Sequence, residues 1–302
     1  MNRAQKVLLL TAALSYAIYS FYWLIRGTFW FAETLLYGYQ LPPTGVLQVN
    51  PVSLLAANLM DFSAFLGLII RAVGGAIAVL AVYQIFKASS NFMATKGKIV
   101  KVLICEAVYF LSLIPSIIFL LGFSALTPLS IGFLSAQLTV QILFIVPCLA
   151  LLASKLRKST DSSTVVKSAA ILFLSYISAL WLTYQLKWLE LFNGAQVNVS
   201  TVFGWLIENA RLLSFLNTTV IFTVALLFAV MATKYTFASK RAKAVRMWGL
   251  SAFFVGLFFV FYVLYCSYLG AYWVIPFGEL WLIPLLLVGI YFLIHPLSFS
   301  HK

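Results

Sequence analysis

Arg71 is the residue best placed to do chemistry, because a charge there lies inside a long apolar run. It falls about seven residues, roughly 10 Å by helical rise, from one end of that run. Lipid at that depth makes an unpaired charge cost a few kcal/mol, so such charges usually face a bundle interior. Gly67 and Gly75, four residues to either side, let a second helix approach closely. The pattern predicts an anion-binding guanidinium inside the bundle. The alternatives are a guanidinium that snorkels to the outer headgroups without a function, and a structural pair with an outer acid.

Uncharged polar residues fall at the same predicted depth in other apolar runs. Gln137 and Gln141 lie one turn apart on one helix face. Each polar residue alone is typical of a hydrogen bond between helices, about 0.6–2 kcal/mol. Taken together they predict a polar layer whose ligand-binding residues are Arg71, Gln137, Gln141, Asn217 and Ser178.

Acidic residues supply possible partners for this guanidinium. The predicted outer acidic partners stand at outer helix ends: Asp61, Glu208 and Glu279. Glu106 falls instead near the inner end of its run, beside Lys101, and is a candidate proton or cation site. The alternative for Glu106 is a carboxylate that snorkels beside basic neighbours.

The composition places these residues in a membrane protein. Of the 302 residues 63% are hydrophobic and only 9% are charged, and the mean hydropathy is +1.03. Soluble domains carry roughly a quarter charged residues, so this chain has too little polar surface to cover a water-facing globule. The sequence predicts an all-α polytopic membrane protein with no soluble domain, a single transmembrane domain over 1–302.

Apolar runs long enough to cross a bilayer, about 20 residues each, define the elements that position the polar layer. They predict a bundle of about eight transmembrane helices at 7–25, 64–86, 102–123, 131–153, 166–186, 210–233, 247–269 and 279–295. The apolar stretch 53–86 is too long for one perpendicular span. We expect a break at 61–63, with Ser63 as the N-cap and 53–60 as a short interfacial element. Segments 27–39 and 187–192 are predicted to be interfacial or re-entrant.

Cations alternate between connectors. All 20 Lys and Arg except Arg26, Arg71, Lys187 and Arg211 fall on one side of the predicted spans. Connectors rich in Lys and Arg stay cytoplasmic, so both termini are predicted to be cytoplasmic and the location to be the plasma membrane. The net charge of +13 fits anionic headgroups at that surface better than nucleic acid, because no single basic face collects it.

Motifs for other chemistries are missing from the sequence. Three cysteines and two histidines provide no metal-site spacing, and no nucleotide loop or hydrolase elbow is present. We therefore predict that the protein binds no metal and no cofactor. The cysteines are predicted to be free thiols that pack as small apolar residues. An N-glycosylation sequon at Asn198 falls on the predicted outer side. Whether it is glycosylated depends on the organism.

A tandem repeat of four spans is a further hypothesis. The outer connectors alternate long and short, and Leu14-Ser15-Tyr16 resembles Leu174-Ser175-Tyr176 at the start of the second half. The halves would be 1–155 and 160–302 in parallel orientation, since four spans is an even number. Coincidence in an aromatic-rich sequence is the alternative.

Three functions remain open from the sequence. The first is a small transporter, or a solute- or lipid-binding protein, with an outward-facing pocket at Arg71 that binds a small anionic solute or a lipid headgroup. The second is a non-catalytic subunit or assembly factor of a larger membrane complex. The third, ranked last, is an enzyme on a lipid-linked substrate at the outer leaflet, with Glu33 or Asp61 as the acid.

Overall fold

The computed structural model describes residues 3–37, 51–87, 92–123, 128–158, 161–194, 202–268 and 282–294, some of them by backbone alone. Every secondary-structure element in these ranges is an α-helix, and no β-strand occurs in them. The all-helical prediction is therefore confirmed. The helices are α1 Arg3–Tyr37, α2 Pro51–Lys87, α3 Phe92–Leu111, α4 Ile114–Phe123, α5 Pro128–Lys158, α6 Ser162–Gly194, α7 Val202–Phe237, α8 Arg241–Tyr268 and α9 Leu282–Ile294.

Six of the described helical stretches are long and apolar enough to cross a membrane: Gln5–Phe29, Asp61–Phe86, Thr95–Ile118, Ala136–Lys158, Ser163–Leu186 and Thr218–Phe237. Each overlaps one of the first six predicted spans. The predicted runs 247–269 and 279–295 overlap α8 and α9, and α9 contains a shorter apolar stretch, Ile283–Ile294. These helices make the chain an integral, multi-pass helical membrane protein.

Neighbouring helices along the chain pack against one another in antiparallel pairs. Gly75 of α2 lies against Ala17 of α1, whereas Gly27 lies against Leu68, so residue numbers rise on one helix as they fall on the other. The remaining consecutive pairs, with α4 as an extension of α3, also pack together, and α9 packs against α1. The described helices thus form a closed ring in chain order.

The predicted breaks near the helix ends are wrong. Helix α2 runs without interruption from Pro51 to Lys87, so 53–60 is no separate element and Ser63 is no N-cap. Ser63 instead donates its hydroxyl hydrogen to the Ser112 carbonyl oxygen at 2.8 Å. Residues 27–37 continue α1, and 187–192 continue α6 through Gly194. Uninterrupted helix satisfies every backbone group locally, which lipid favours over a chain break.

The third predicted span, 102–123, is divided by a turn at 112–113 into α3 and α4. Pro115 has no N–H to bond the carbonyl of Leu111, four residues earlier, so the helix cannot continue there unchanged. Within this turn, the carbonyl of Ser112 accepts a hydrogen bond from the Ser63 hydroxyl of α2. This turn fixes α3 and α4 against α2.

An apolar core joins α6, α7 and α8. It consists of the buried residues Ile177, Ile221, Phe222, Ala225, Ala229, Val255 and Phe258. A second buried cluster, around Phe110, Ile145, Leu149 and Ala179, joins α3, α5 and α6. The two clusters hold α6 from both sides, so its position relative to α3 and α5 is set by packing.

Candidate functional site

A buried ion pair joins α2 to α3. Arg71 is 3% exposed and Glu106 is 8% exposed. The guanidinium donates Nε–H to Glu106 Oε2 at 3.0 Å and Nη2–H to Oε1 at 2.5 Å. Two parallel hydrogen bonds of this kind are the strongest form of an arginine–carboxylate pair. The pair brings a full positive and a full negative charge to one depth in the bundle.

Tyrosines from two helices surround the pair. Tyr16 of α1 donates its hydroxyl hydrogen to Glu106 Oε2 at 2.7 Å, and Tyr19 accepts from Arg71 Nη1 at 3.3 Å. The guanidinium carbon also lies 4.5 Å from the ring centroid of Tyr19 and 4.2 Å from that of Tyr109. Cation–π contacts of this type are worth more where water is removed. We call Tyr16, Tyr19, Arg71, Glu106 and Tyr109 the charged layer.

Two glycines of α2 allow the charged layer to form. A Cβ on Gly75 would meet the Ala17 backbone at 3.0 Å, and one on Gly67 would collide with Ser112. Both neighbouring helices therefore approach α2 closely on either side of Arg71. The sequence prediction that Arg71 points into the bundle beside a small-residue face agrees with this geometry.

A cavity of about 250 Å³ adjoins Arg71. Side chains of five helices line it: Tyr19 and Trp23 on α1, Arg71 on α2, Tyr109 and Phe110 on α3, Gln137, Gln141 and Ile145 on α5, and Tyr176, Ala179, Leu180, Thr183 and Tyr184 on α6. Arg71 is the only residue with a charged side chain among these lining residues. The other lining residues have aromatic, aliphatic, amide or hydroxyl side chains.

The lining residues belong to one half of the bundle. On α1, α3 and α6 they lie in the second half of the apolar stretch, and on α2 and α5 in the first half. Since consecutive helices run antiparallel, these halves face the same side. The cavity is therefore displaced toward the side on which Phe29, Asp61 and Leu186 terminate their apolar stretches.

Hydrogen bonds and ring stacking hold the α6 wall of the cavity in place. Gln141 Nε2 lies 3.5 Å from Thr183 Oγ1, a long contact across α5 and α6. Tyr184 stacks on Phe222 of the apolar core, with ring centroids 5.0 Å apart. The apolar core thus supports one side of the cavity.

Three of the five residues predicted to bind a ligand line this cavity: Arg71, Gln137 and Gln141. Ser178 is not among the lining residues, and its hydroxyl donates to the Leu174 carbonyl of its own helix at 2.8 Å. Asn217 lies in α7, in a part of the helix that the structure describes by backbone alone. Ligand binding by these five residues remains a prediction.

Among the described residues, the acid that pairs with Arg71 is Glu106. Asp61 precedes Arg71 by ten residues on the same helix, roughly 15 Å along its axis, and does not line the cavity. The side chain of Glu208 is not described, and Glu279 lies outside the described ranges. Glu106 is near the middle of the stretch Thr95–Ile118, whereas the shorter predicted span placed it near the inner end. The structure thus places Arg71 and Glu106 at the same depth in the bundle, whereas the sequence analysis assigned them to its outer and inner halves.

The tyrosines and Trp23 are the site residues that the sequence analysis missed. A signal was present: Tyr16, Tyr19 and Trp23 follow one another at helical spacings of three and four, on one face of α1. The indole N–H of Trp23 is buried and has no hydrogen-bond partner among the described residues. Trp23 lines the cavity, but its indole nitrogen is inaccessible to solvent, so the ring carbons and not the N–H face the cavity.

The described residues contain no group of three or more His, Cys, Asp or Glu side chains placed to hold a metal ion. Comparison with known proteins finds no match to this chain, whether to a family model, to a curated protein or to a solved structure. The interpretation of the site therefore depends on its geometry and chemistry.

Proposed function

We propose that this protein is a small membrane transporter or solute-binding protein whose ligand occupies the cavity beside Arg71. The observation that carries the proposal is the cavity itself, lined by helices that are long and apolar enough to cross a membrane. Intramembrane charges mark ligand or ion pathways more often than they serve packing alone. A cavity between helices with a few convergent polar groups is the usual form of a small-molecule site.

The charged layer supports this proposal over a purely structural function for Arg71. A buried ion pair is weak evidence for stability, because desolvation offsets much of the attraction between its charges. Here the guanidinium also lines a cavity and lies between two tyrosine rings. Packing alone requires none of these features.

We further propose an outward-facing cavity, both termini in the cytoplasm and eight crossings in one domain of the plasma membrane. Support comes from cations at the helix ends away from the cavity. Lys6 lies 5.8 Å from the Phe86 ring centroid, and Lys167 lies 5.8 Å from that of Phe237, so the basic ends of neighbouring helices come together. Tagging either terminus and testing its accessibility in intact and permeabilised cells checks the topology; a terminus accessible in intact cells overturns it.

The parallel repeat of 1–155 and 160–302 is likewise proposed. In the ring of helices α5 packs against α6, and α9 packs against α1, as a two-fold arrangement of four-span halves requires. Superposition of the halves tests the repeat: α1, α2, α3 and α5 should overlay α6, α7, α8 and α9. A different helix order in the overlay rejects it.

A thermal-shift screen of purified protein in detergent tests the solute-binding function. We expect at least one compound from a panel of small anions, cations and neutral polar solutes to raise the melting temperature in a saturable manner. Thr183→Trp, which fills the cavity from α6, should abolish that rise. Val166→Trp adds the same bulk to an exposed position of α6 and should leave it intact. The proposal would be overturned if no compound raised the melting temperature, or if the rise persisted in Thr183→Trp.

A further inference from the structure

We infer that the ligand of this cavity is an uncharged solute with a planar ring and an amide-like edge, the chemistry of a nucleobase or a carboxamide ring. The inference rests on the proposed function and deepens it by naming the class of solute. It replaces the anion expected from the sequence, because Arg71 has an acid of its own.

The charge on the cavity wall is already balanced. Glu106 accepts from Nε and Nη2 of Arg71, and Tyr19 accepts from Nη1. A bound anion would bring a second negative charge near Glu106 with no second cation among the lining residues. A bound cation would lie against Arg71. Both repulsions are strong where water is excluded, and a neutral solute meets neither.

The shape of the wall favours a flat molecule. Tyr19 and Tyr109 cover the guanidinium, with its carbon 4.5 and 4.2 Å from their ring centroids. Arg71 also lines the cavity, where a carbonyl oxygen could accept a hydrogen bond from its guanidinium. Trp23, Tyr176 and Tyr184 add further rings, and such rings pair with a planar partner by stacking or edge-to-face contact.

The size of the cavity favours a small ligand such as a single ring. Its volume is about 250 Å³. Pockets for larger, drug-sized ligands begin near 300 Å³. A six-membered ring with one amide substituent fits this limit.

The amides of two glutamines supply the complementary edge. Gln137 and Gln141 each carry a carboxamide with two N–H donors and one carbonyl acceptor. An amide edge, which offers both a donor and an acceptor, is complementary to this set. A site built to hydrogen-bond such an edge rejects analogues that lack it.

Three probes of nearly equal shape test the inference: benzamide, which is neutral, benzoate, which is anionic, and benzamidine, which is cationic at pH 7. We expect benzamide to raise the melting temperature of the purified protein saturably. Its apparent dissociation constant should be at least about ten-fold lower than those of the charged probes, since unfavourable charge placement costs several kcal/mol. Tighter binding of benzoate or benzamidine overturns the inference.

Variants assign the binding to the cavity. Gln141→Leu keeps the size of the side chain but removes the amide, and should weaken benzamide by about ten-fold. Val166→Trp, at an exposed position of α6, should not change it. If benzamide binds but Gln141→Leu leaves its affinity unchanged, the inference is wrong.

Failure of the inference and failure of the proposed function are distinguishable in this design. If a charged compound binds the cavity best, and Thr183→Trp abolishes its effect, solute binding stands and the neutral-ring inference falls. If neither the three probes nor the wider panel produces an effect that depends on Thr183, both fall.

Discussion

The charged layer and the apolar core are built on the same antiparallel helix pairing, yet different interactions hold them together. In the charged layer a guanidinium, a carboxylate and three tyrosines occupy the interface of α1, α2 and α3. In the apolar core Ile177, Phe222, Val255 and Phe258 fill the interface of α6, α7 and α8. The Ser251 hydroxyl within that region is satisfied by the Ala225 carbonyl at 2.8 Å.

This difference supports the proposal that the ligand binds beside the charged layer and not within the apolar core. Lipid tails are as apolar as leucine, so apolar packing in a membrane depends on van der Waals fit and not on water exclusion. The apolar core meets that requirement with large rings and small alanines in full contact. The charged layer holds a costly ion pair and a cavity, which fit alone does not demand. The core supplies the rigid wall on which the cavity is built.

Neutralising Glu106 should produce the largest loss of stability. Glu106→Gln removes the countercharge and leaves Arg71 buried and uncompensated, at a cost of about 3–5 kcal/mol. We expect the melting temperature in detergent, followed by intrinsic fluorescence, to fall sharply. The double variant Arg71→Met/Glu106→Leu should recover much of that loss, because it removes both charges. A Glu106→Gln protein as stable as the native one would show that the pair does not hold α2 to α3.

Truncating the apolar core should cost less. Phe222→Ala removes a ring that is 1% exposed and contacts both Tyr184 and Phe258. We expect about 3 kcal/mol, near the lower end for buried phenylalanine, because lipid solvates the separated helices almost as well. Leu227→Ala, at a position of α7 that is 60% exposed, is the matched control and should have little effect. Equal melting temperatures for the two variants would contradict the assignment of the core.

Removing one hydroxyl from the charged layer should have a smaller effect. Tyr16→Phe removes only the hydroxyl group of the side chain, and with it the hydrogen bond to Glu106 Oε2. Hydrogen bonds to charged groups contribute about 1.5–3 kcal/mol, so the melting temperature should drop by less than in Glu106→Gln. Tyr83→Phe, at a 58% exposed position of α2, should not change it. No difference between these two phenylalanine variants would mean that Tyr16 does not stabilise the carboxylate.

The helical class, the first six spans and the inward direction of Arg71 follow from the sequence because each depends on local pattern. Length and apolarity of a run decide whether a helix can cross lipid, and Gly67 and Gly75 mark the face of α2 that another helix approaches. The pairing of Arg71 with Glu106 does not follow. It depends on the relative height of two helices, and the predicted run 102–123 starts seven residues after the stretch Thr95–Ile118 does. That shift moved Glu106 to the wrong half.

The helix ends show a second limit of sequence patterns. Asp61 and Ser63 are typical of a helix start, yet α2 continues through both. The tertiary contact from Ser63 to the Ser112 carbonyl outweighs the local capping preference. Of the predicted polar layer, Ser178 donates to a carbonyl of its own helix and does not line the cavity. The direction in which a side chain points around its helix axis depends on the helices that pack against it, and those helices lie far away in the sequence.

The smallest effect should come from a helix end in water, apart from both buried regions. Asp161 precedes α6 and accepts hydrogen bonds from Thr164 Oγ1 at 2.7 Å, Ser163 N at 2.9 Å and Thr164 N at 3.1 Å. These bonds, the Thr164 side chain first, lower the pKa of the Asp161 carboxyl below its ordinary value of 3.8. The carboxylate form is therefore favoured in the folded protein, and its contribution is complete above the ordinary pKa. It is lost as the pH falls through the lowered pKa of the folded state.

Asp161→Asn keeps an N-cap acceptor but cannot titrate in this range. We expect the melting temperatures of the native protein and Asp161→Asn to differ by a small, constant amount from pH 7 to about pH 5. Below about pH 4 the difference should shrink, because the native carboxylate becomes protonated. Melting curves of both proteins across that range measure it. A difference that grows as the pH falls would mean that the capping carboxylate is not favoured in its charged form, and that α6 is anchored by its packing between the two buried clusters alone.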